Sequence, residues 1–302
     1  VKRSSLFRWL KTFDGTMESL KEHSHKPKTP HPRTLSEEIV KKVLDLKRRN
    51  PHDSYMEIWL KMHRNNYVIS LSSVLRILKR AKGYIPYISN AKKKHNKPYH
   101  TPKMIGEKWQ MDVKFVPQEC KAPSIVSRKY YQYTILDECS RKRFLYFTDD
   151  HNMYESSKAL KAAIAFFNYV PLVLQTDNGW EFTDGDKRKT KGKNIRNYPN
   201  ILEKTCIEYG IIHKLIRPRT PEHNGKVERS HRIDQDKFYR TLKFYSLNDL
   251  KIQGKAWNKR YNNMPRFVLK CKTPNEIEVE LKEEFTRIRS EQGQKSPTSI
   301  ES

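Results

Sequence analysis

Three acidic residues, far apart in the chain, carry the chemistry that can be read from its residue types. Asp112 stands in Trp109-Gln110-Met111-Asp112-Val113-Lys114-Phe115, Asp177 in Leu174-Gln175-Thr176-Asp177-Asn178-Gly179, and Glu228 in Asn224-Gly225-Lys226-Val227-Glu228-Arg229-Ser230. A phosphodiester resists attack because its anionic oxygens repel a nucleophile and its alkoxide leaves poorly. Two divalent cations about 3.5–4 Å apart meet both difficulties, one activating the attacking oxygen and the other stabilising the departing one. Mg²⁺ takes oxygen ligands, commonly one or two carboxylates with water and substrate phosphate. Three carboxylates shared between two ions suffice if the fold unites them, and no Lys or His general base is then needed. Taken singly, each acid has a plainer reading: Asp112 as a polar residue on a strand face, Asp177 as a turn former, and Glu228 as an i,i+4 partner of Arg232.

The elements around the acids suit their convergence. Residues Trp109 to Phe115 alternate, so the Asp112 side chain faces away from those of Met111 and Val113. Leu172-Val173-Leu174 reads as a short buried strand, with Asp177-Asn178-Gly179 the turn at its end. Asn224 can cap a long helix whose first turn holds Glu228, where the helix dipole favours a negative group. If the Asp112 and Asp177 strands are neighbours, the two aspartates meet at one edge of the sheet and the helix delivers the glutamate.

Further strands are expected at Tyr130 to Leu136 and Arg143 to Thr148, antiparallel to the first. Helices are expected at about Tyr154 to Phe167, near Ile201 to Tyr209, and after a Ser246 cap, where Leu247, Leu250, Trp257 and Tyr261 are spaced for packing. A last strand falls at Ile211 to Ile216. The order predicts an α/β domain with one central mixed sheet over 106–283. A basic stretch at 184–200 interrupts it, either a disordered insertion or an arm that settles on a phosphate backbone. Residues 284–302 are polar and are expected to be disordered.

The formal charge of the 302 residues is +27, and more than half of the excess lies in the first 103. A polyanionic partner is implied, and nucleic acid fits best. No apolar run approaches spanning length and no basic amphipathic helix has a Trp/Phe/Leu face, which argues against a membrane protein. With no signal peptide, an intracellular location is expected. The four cysteines form no C-x-x-C pair, so reduced thiols are expected rather than a zinc site. His23, His25 and His31 sit in a Pro/Lys-rich connector and read as solvated.

The front of the chain repeats itself. Ser4-Ser5-Leu6-Phe7-Arg8-Trp9-Leu10-Lys11 matches Ser72-Ser73-Val74-Leu75-Arg76-Ile77-Leu78-Lys79 in the pattern S-S-x-x-R-x-L-K. Two tandem helix-turn-helix units are predicted, a remnant at 1–21 and a complete unit at 34–83, joined by a linker at 22–33 and followed by a basic linker at 84–105. In the complete unit Thr34 and Glu37 form a capping box before Ile39, Val43 and Leu46, a second helix presents Tyr55, Ile58, Trp59 and Met62, and Ser70 caps the third. Ser72, Ser73, Arg76, Lys79 and Arg80 on the third helix suit phosphates and base edges. A three-helix bundle with a merely solvated basic face is the alternative.

The motifs W-Q-M-D-V, Q-T-D-N-G-W-E-F and R-P-R-T-P-E-H-N-G-K-V-E-R, in this order, resemble the acid-bearing motifs of bacterial insertion-sequence transposases of the DDE-type transposase and retroviral integrase superfamily. Tyr261-Asn262-Asn263 and Thr273-Pro274-Asn275-Glu276 resemble the end of that catalytic core. The resemblance implies a ribonuclease H-like mixed sheet flanked by helices and preceded by all-α helix-turn-helix units. It implies Asp112, Asp177 and Glu228 as catalytic metal ligands, two Mg²⁺ or Mn²⁺ ions, and Asn178 and Gly179 as the turn presenting Asp177. His223, Asn224 and Gly225 become a mobile loop, and Lys226, Arg229 and Arg232 contacts to the DNA end.

The activity implied is hydrolysis at element ends followed by 3′-hydroxyl strand transfer. The partners would be terminal inverted repeats and target DNA, with a homo-oligomer on DNA, no membrane and no small-molecule substrate, in a bacterial cytoplasm near the nucleoid. Asp177 and Glu228 stand further apart than in many relatives, and segment 184–200 accounts for the excess. Nothing matches the amino-terminal His/Cys zinc module of retroviral integrases. An inactive or domesticated DNA-binding regulator, or a nuclease without strand transfer, remains the rival.

Overall fold

Alternating apolar residues fix the two faces of a central sheet, and helices packed on both sides cover them. In the computed structural model of the chain, residues 3–20, 29, 34–81, 101–183, 199–216 and 224–291 are described. Nearly all of the 22–33 linker, most of the 84–105 linker, residues 184–198 of the basic insertion and residues 217–223 before the Glu228 helix lie outside them. The chain divides into two compact units, residues 1–42 and 43–302.

In the first unit, helix α1 (Arg3–Thr12) is followed by a short 3-10 turn at Glu18–Leu20. No residue of α1 is buried, and Leu6, Phe7 and Leu10 are at least half exposed. Helix α2 (Glu37–Arg49) begins in this unit and ends in the second. The cap expected from Thr34 is supplied instead by Ser36, whose Oγ accepts the Ile39 N–H at 3.4 Å. Because the helix starts at Glu37, Ser36 is the residue placed to reach that N–H.

Helix α3 (Tyr55–Arg64) opens on a capping box between Ser54 and Glu57, and α4 (Leu71–Arg80) on the predicted Ser70 cap. Val43, Ile58, Leu60, Met62, Val74 and Leu78 are the buried residues that these helices share. Leu6 and Leu10 of α1 occupy the repeat positions of Val74 and Leu78, yet they are exposed where those are buried.

The sheet has the order β3-β2-β1-β4-β5. Strands β1 (Lys108–Phe115), β2 (Tyr131–Asp137) and β3 (Arg143–Thr148) are antiparallel, while β4 (Val173–Thr176) and β5 (Ile212–Leu215) run parallel to β1. This is the mixed, ribonuclease H-like arrangement. On one face Trp109, Met111, Tyr133, Ile135 and Leu174 pack under α5 (Met153–Phe167) and α6 (Ile201–Glu208). On the other face Leu145 and Phe147 meet α8 (Leu247–Asn262) through Leu250, Trp257 and Tyr261. The middle of that second face is polar, with Gln110, Gln132, Thr134 and Arg143 all buried. Helix α7 (Gly225–Asp234) lies over it and runs on into a π-turn at Gln235–Tyr239.

Helix α9 (Pro274–Glu291) carries regular structure to Glu291, past residue 284 where a disordered tail was expected. Glu276 at its start pairs with Arg64 of α3 at 2.6 Å, and Lys237 of the π-turn reaches Asp53 and Glu57 at 2.7 and 2.8 Å. The helical segment is thereby tied to the core within one unit.

Gly254 of α8 lies so close to β3 that a Cβ there would fall 2.1 Å from the Phe147 ring. Overpacking of this kind costs about 1–3 kcal/mol. Gly254→Ala should therefore lower the urea midpoint of unfolding without changing the slope, and an unchanged midpoint would mean that α8 rides outward at no cost.

Candidate active site

Strand register brings the two aspartates together. Trp109 pairs with Leu174 and Gln110 with Gln175 across the parallel β1–β4 ladder, so the same offset carried two residues on sets Asp112 level with Asp177, just past Thr176. Neighbouring strands lie about 4.8 Å apart, and residues level in register point to the same face. The turn at Asp177 is locally determined: its Oδ1 accepts the Gly179 N–H at 2.9 Å, and Asn178 donates to the Ile216 carbonyl at 3.0 Å. A Cβ at position 179 would meet the Glu181 carboxylate at 2.5 Å, so a larger residue there would displace that side chain.

The polar face of the sheet grips α7 along its length. At its start the Gln110 Oε1 accepts the Val227 N–H at 3.0 Å. Asn224 occupies the cap position but makes no side-chain cap bond. Its φ of −101° and ψ of 9° depart from the extended conformation in which a cap side chain reaches the first-turn N–H groups, and Gln110 takes over the task. Lys226 pairs with the fully buried Glu138 at 2.6 Å.

Further along α7, Ser230 accepts from Arg143 at 2.5 Å, and the His231 Nε2 lies 3.0 Å from the Thr134 hydroxyl. At its end Asp234 receives Arg143 at 2.6 Å, Trp257 at 2.7 Å and Gln132 at 2.9 Å. Arg143 and Asp234 are both fully buried. The inward-facing His231 also brings its Nδ1 to 3.5 Å from the Asp112 Oδ2.

Charge is crowded here. The Asp112 carboxyl is pushed up to about 7, first by burial, then by the negative charge of Asp177, with Glu228 and Glu181 adding to it. Burial holds His231 neutral, down at about 4, and draws Lys226 down to about 8 although Glu138 opposes it. The donor set of Asp112, Asp177 and Glu228 is all carboxylate oxygen and mutually repelling, which suits a hard divalent cation. The fit lies in donor chemistry and register rather than in a closed cage. Among the described residues no three His, Cys, Asp or Glu converge as a metal-holding group, and Glu228 is exposed on the first turn of α7.

Of the residues read as DNA contacts, Ser72, Arg76, Lys79, Arg80, Arg229 and Arg232 are exposed. Ser73 is half-buried, and its hydroxyl accepts from Ser70 at 2.9 Å, within the α4 cap. Lys226 differs from expectation: its amine is turned inward to Glu138 and Thr101 instead of outward. His223 lies outside the described residues.

Comparison with known proteins agrees with this architecture. Residues 102–221 match the family model described as Integrase core domain, and residues 209–267 match a second model of the same description. Together the two matches place an integrase core domain over residues 102–267. It is similar to an integrase assigned to ORF3 of Spiroplasma virus SpV1-C74, 30% identical over 177 residues, covering 56% of this chain and 46% of that protein. It is also similar to the transposase assigned to insertion sequence element IS5376 of Geobacillus stearothermophilus, 28% identical over 172 residues, covering 57% and 41%. The chain thus spans less than half the length of the curated relatives it matches.

Among solved structures, a simian T-cell lymphotropic virus intasome aligns at TM-score 0.45 and 16% identity over 78% of this chain and 73% of that one. The HTLV-2 integrase catalytic core domain in complex with magnesium aligns at 0.41 and 21% over 58% and 97%. No helix among the described residues is long and apolar enough to cross a membrane.

Several residues of the integrase core site went unassigned in the sequence reading. Glu181 sits inside a quoted motif, and its charge reaches Asp112. Gln110 lies two residues before Asp112, on the same strand face, and His231 one turn after Glu228. These spacings were available signals. The Arg143–Asp234 pair joins positions 91 residues apart, and no local pattern announces it.

Two stability measurements follow. An Asp whose folded pKa is raised loses stability as pH climbs from its unfolded value near 4 to its folded value near 7, because the native state holds its proton longer. Without divalent metal, Asp112→Asn should match the wild type near pH 4 and exceed it in Tm near pH 8, and equal Tm at both would refute the buried repulsion. Arg143→Met, which leaves Asp234 buried and unpaired, should cost about 3–5 kcal/mol in urea unfolding.

Proposed function

We propose that the chain is a DNA transposase of the insertion-sequence type. The helical segment at 34–83 recognises terminal inverted repeats and the core at 106–283 performs phosphodiester hydrolysis and 3′-hydroxyl strand transfer. The observation that carries this reading is the pair Asp112 and Asp177, level in register on adjacent parallel strands and close enough, with Glu228, to raise the Asp112 carboxyl.

Asp112, Asp177 and Glu228 would hold Mg²⁺ or Mn²⁺, two ions in the active complex. When bound, such ions activate the attacking oxygen and stabilise the leaving one. The chain's own residues prepare for this. The Asp177 carboxylate is oriented by the Gly179 N–H, and the Asp112 Oδ1 by the Val113 N–H at 2.9 Å. His231, held neutral, fixes the side of Asp112 that faces α7 without adding a charge. Arg229 and Arg232, exposed on the helix that carries Glu228, are oriented for the backbone of a DNA end. Ser72, Arg76, Lys79 and Arg80 serve the same purpose on α4.

Two ends must be processed together, so a homo-oligomer on DNA is the working form. The charge of +27 supports nucleic acid as the partner. A catalytically inactive regulator is the second reading, since Glu228 stands exposed rather than closed onto the aspartates.

Incubation with Mg²⁺ and a labelled element end separates the outcomes. The transposase reading expects nicked and then joined products, reduced to background by Asp112→Asn, Asp177→Asn or Glu228→Gln while end binding persists. Nicking without joining would identify a nuclease, and binding without cutting in the wild type would leave only the regulator.

A further inference from the structure

Four aromatic rings form a chain of contacts between the turn after Asp177 and the end of β1. Trp180 follows Asp177 by three residues and Phe115 follows Asp112 by three, so the stack extends from one acid-bearing strand end to the other. The His151 ring lies between them, with Trp180 edge-on at 4.8 Å and 74° and Tyr131 face to face at 4.7 Å and 17°. Phe115 closes the far end, 5.0 Å from Tyr131 and 6.2 Å from His151. The His151 Nε2 sits 3.3 Å from the Glu181 Oε1, and the Glu181 carboxylate acts electrostatically on Asp112. The stack is thus connected to the acid site.

Its inner rings are half-buried, but Trp180 is 52% and Phe115 58% exposed. Rings that served only to fill the core would be covered. Here the largest of them is wet, although its neighbours hold it in place. The half-buried His151 and Tyr131 rings back the two exposed ones, so the platform has little side-chain freedom left to lose on binding.

We propose that this platform is a seat for one nucleobase unstacked from the bound DNA beside the phosphate offered to Asp112 and Asp177, with Trp180 supplying the ring and His151, Tyr131 and Phe115 backing it. The proposal rests on the reading of the acids as a phosphodiester site. An apolar protein partner fits less well, because the platform is a few rings wide, contains a His, and adjoins carboxylates on a chain of charge +27. Every base has a π-face that an indole accepts, so the seat would tolerate any base. Selectivity would come from how readily a step unstacks, favouring pyrimidine–purine steps and mismatches next to the cut.

The test uses the full chain and two readouts. In the first, fluorescence anisotropy of a labelled oligothymidylate measures single-strand affinity without any cutting. Trp180→Ala should weaken it about tenfold, within the range of a lost base–aromatic stack, while Trp180→Phe stays close to the wild type. Affinity for a duplex of the same length should change little in both variants, which also reports an intact fold.

The second readout is cutting in Mg²⁺ of a labelled duplex from DNA flanking the reading frame. Trp180→Ala should cut the paired duplex about tenfold more slowly, and a mismatch beside the scissile phosphate should restore most of the rate. Unchanged single-strand affinity in Trp180→Ala, a Trp180→Phe variant as weak as Trp180→Ala, or a cutting defect indifferent to the mismatch would each overturn the seat. A wild type that binds the oligothymidylate through Trp180 yet never cuts DNA would overturn the transposase reading and leave the seat standing.

Discussion

The ion pair between Arg143 and Asp234, both fully buried, is the constraint on which the placement of the acids depends. Taking two charges out of water costs several kcal/mol each, offset here by the pairing itself and by further partners on both groups. Trp257 and Gln132 donate to Asp234, Arg143 donates to Ser230, and the guanidinium lies 3.5 Å over the Tyr261 ring. These contacts form one network that joins α7 to β2, β3 and α8. It holds the last turn of α7 against β2 and β3, while Gln110 and Glu138 hold the first turn against β1. Glu228 rides between two anchors.

That rigidity is needed because the acids themselves oppose assembly. Asp112 is half-buried beside the charges of Asp177, Glu228 and Glu181, and it responds by holding its proton. Repulsion of this kind would spread an unsupported site apart. The sheet ladder prevents Asp112 and Asp177 from separating, and the anchors on α7 restrain the helix as a whole, so the cost is carried by contacts several ångströms from the carboxylates. Local electrostatic stress offset by distant packing is a frequent property of functional sites.

Sequence reading recovered the parts of this arrangement that have a local signature. Alternation located β1, β2 and β3 to within a residue, whereas the adjacency of β1 and β4 entered only as a condition, which their parallel pairing meets. Caps were legible where a single Ser precedes an apolar run, as at Ser70 and Ser246. Reading failed where two candidates compete or where the partner is remote. Ser36 displaced Thr34 because the helix begins two residues later than assumed, and Asn224 lost its capping role to Gln110, 114 positions earlier. Lys226 was expected at the DNA end because the resemblance places it beside Glu228, and nothing local reveals that Glu138 lies beneath it. Helix α9 was missed because its polar, Glu-rich sequence resembles a tail.

The ten residues of α7 divide their duties by helical period. Val227, Ser230 and Asp234 recur at intervals of three and four and are buried against the sheet, whereas Glu228, Arg229 and Arg232 emerge on the exposed side. Each residue turns the helix by about 100°, since 3.6 residues complete a turn. Shifting the register by one position would bury Glu228 in one direction or Arg229 in the other and turn Asp234 off its anchors, so the frame that secures the helix is the same one that fixes which side its acid and its two arginines present. A helix this short can present an acid and two arginines on one side only because the buried network leaves it a single rotation.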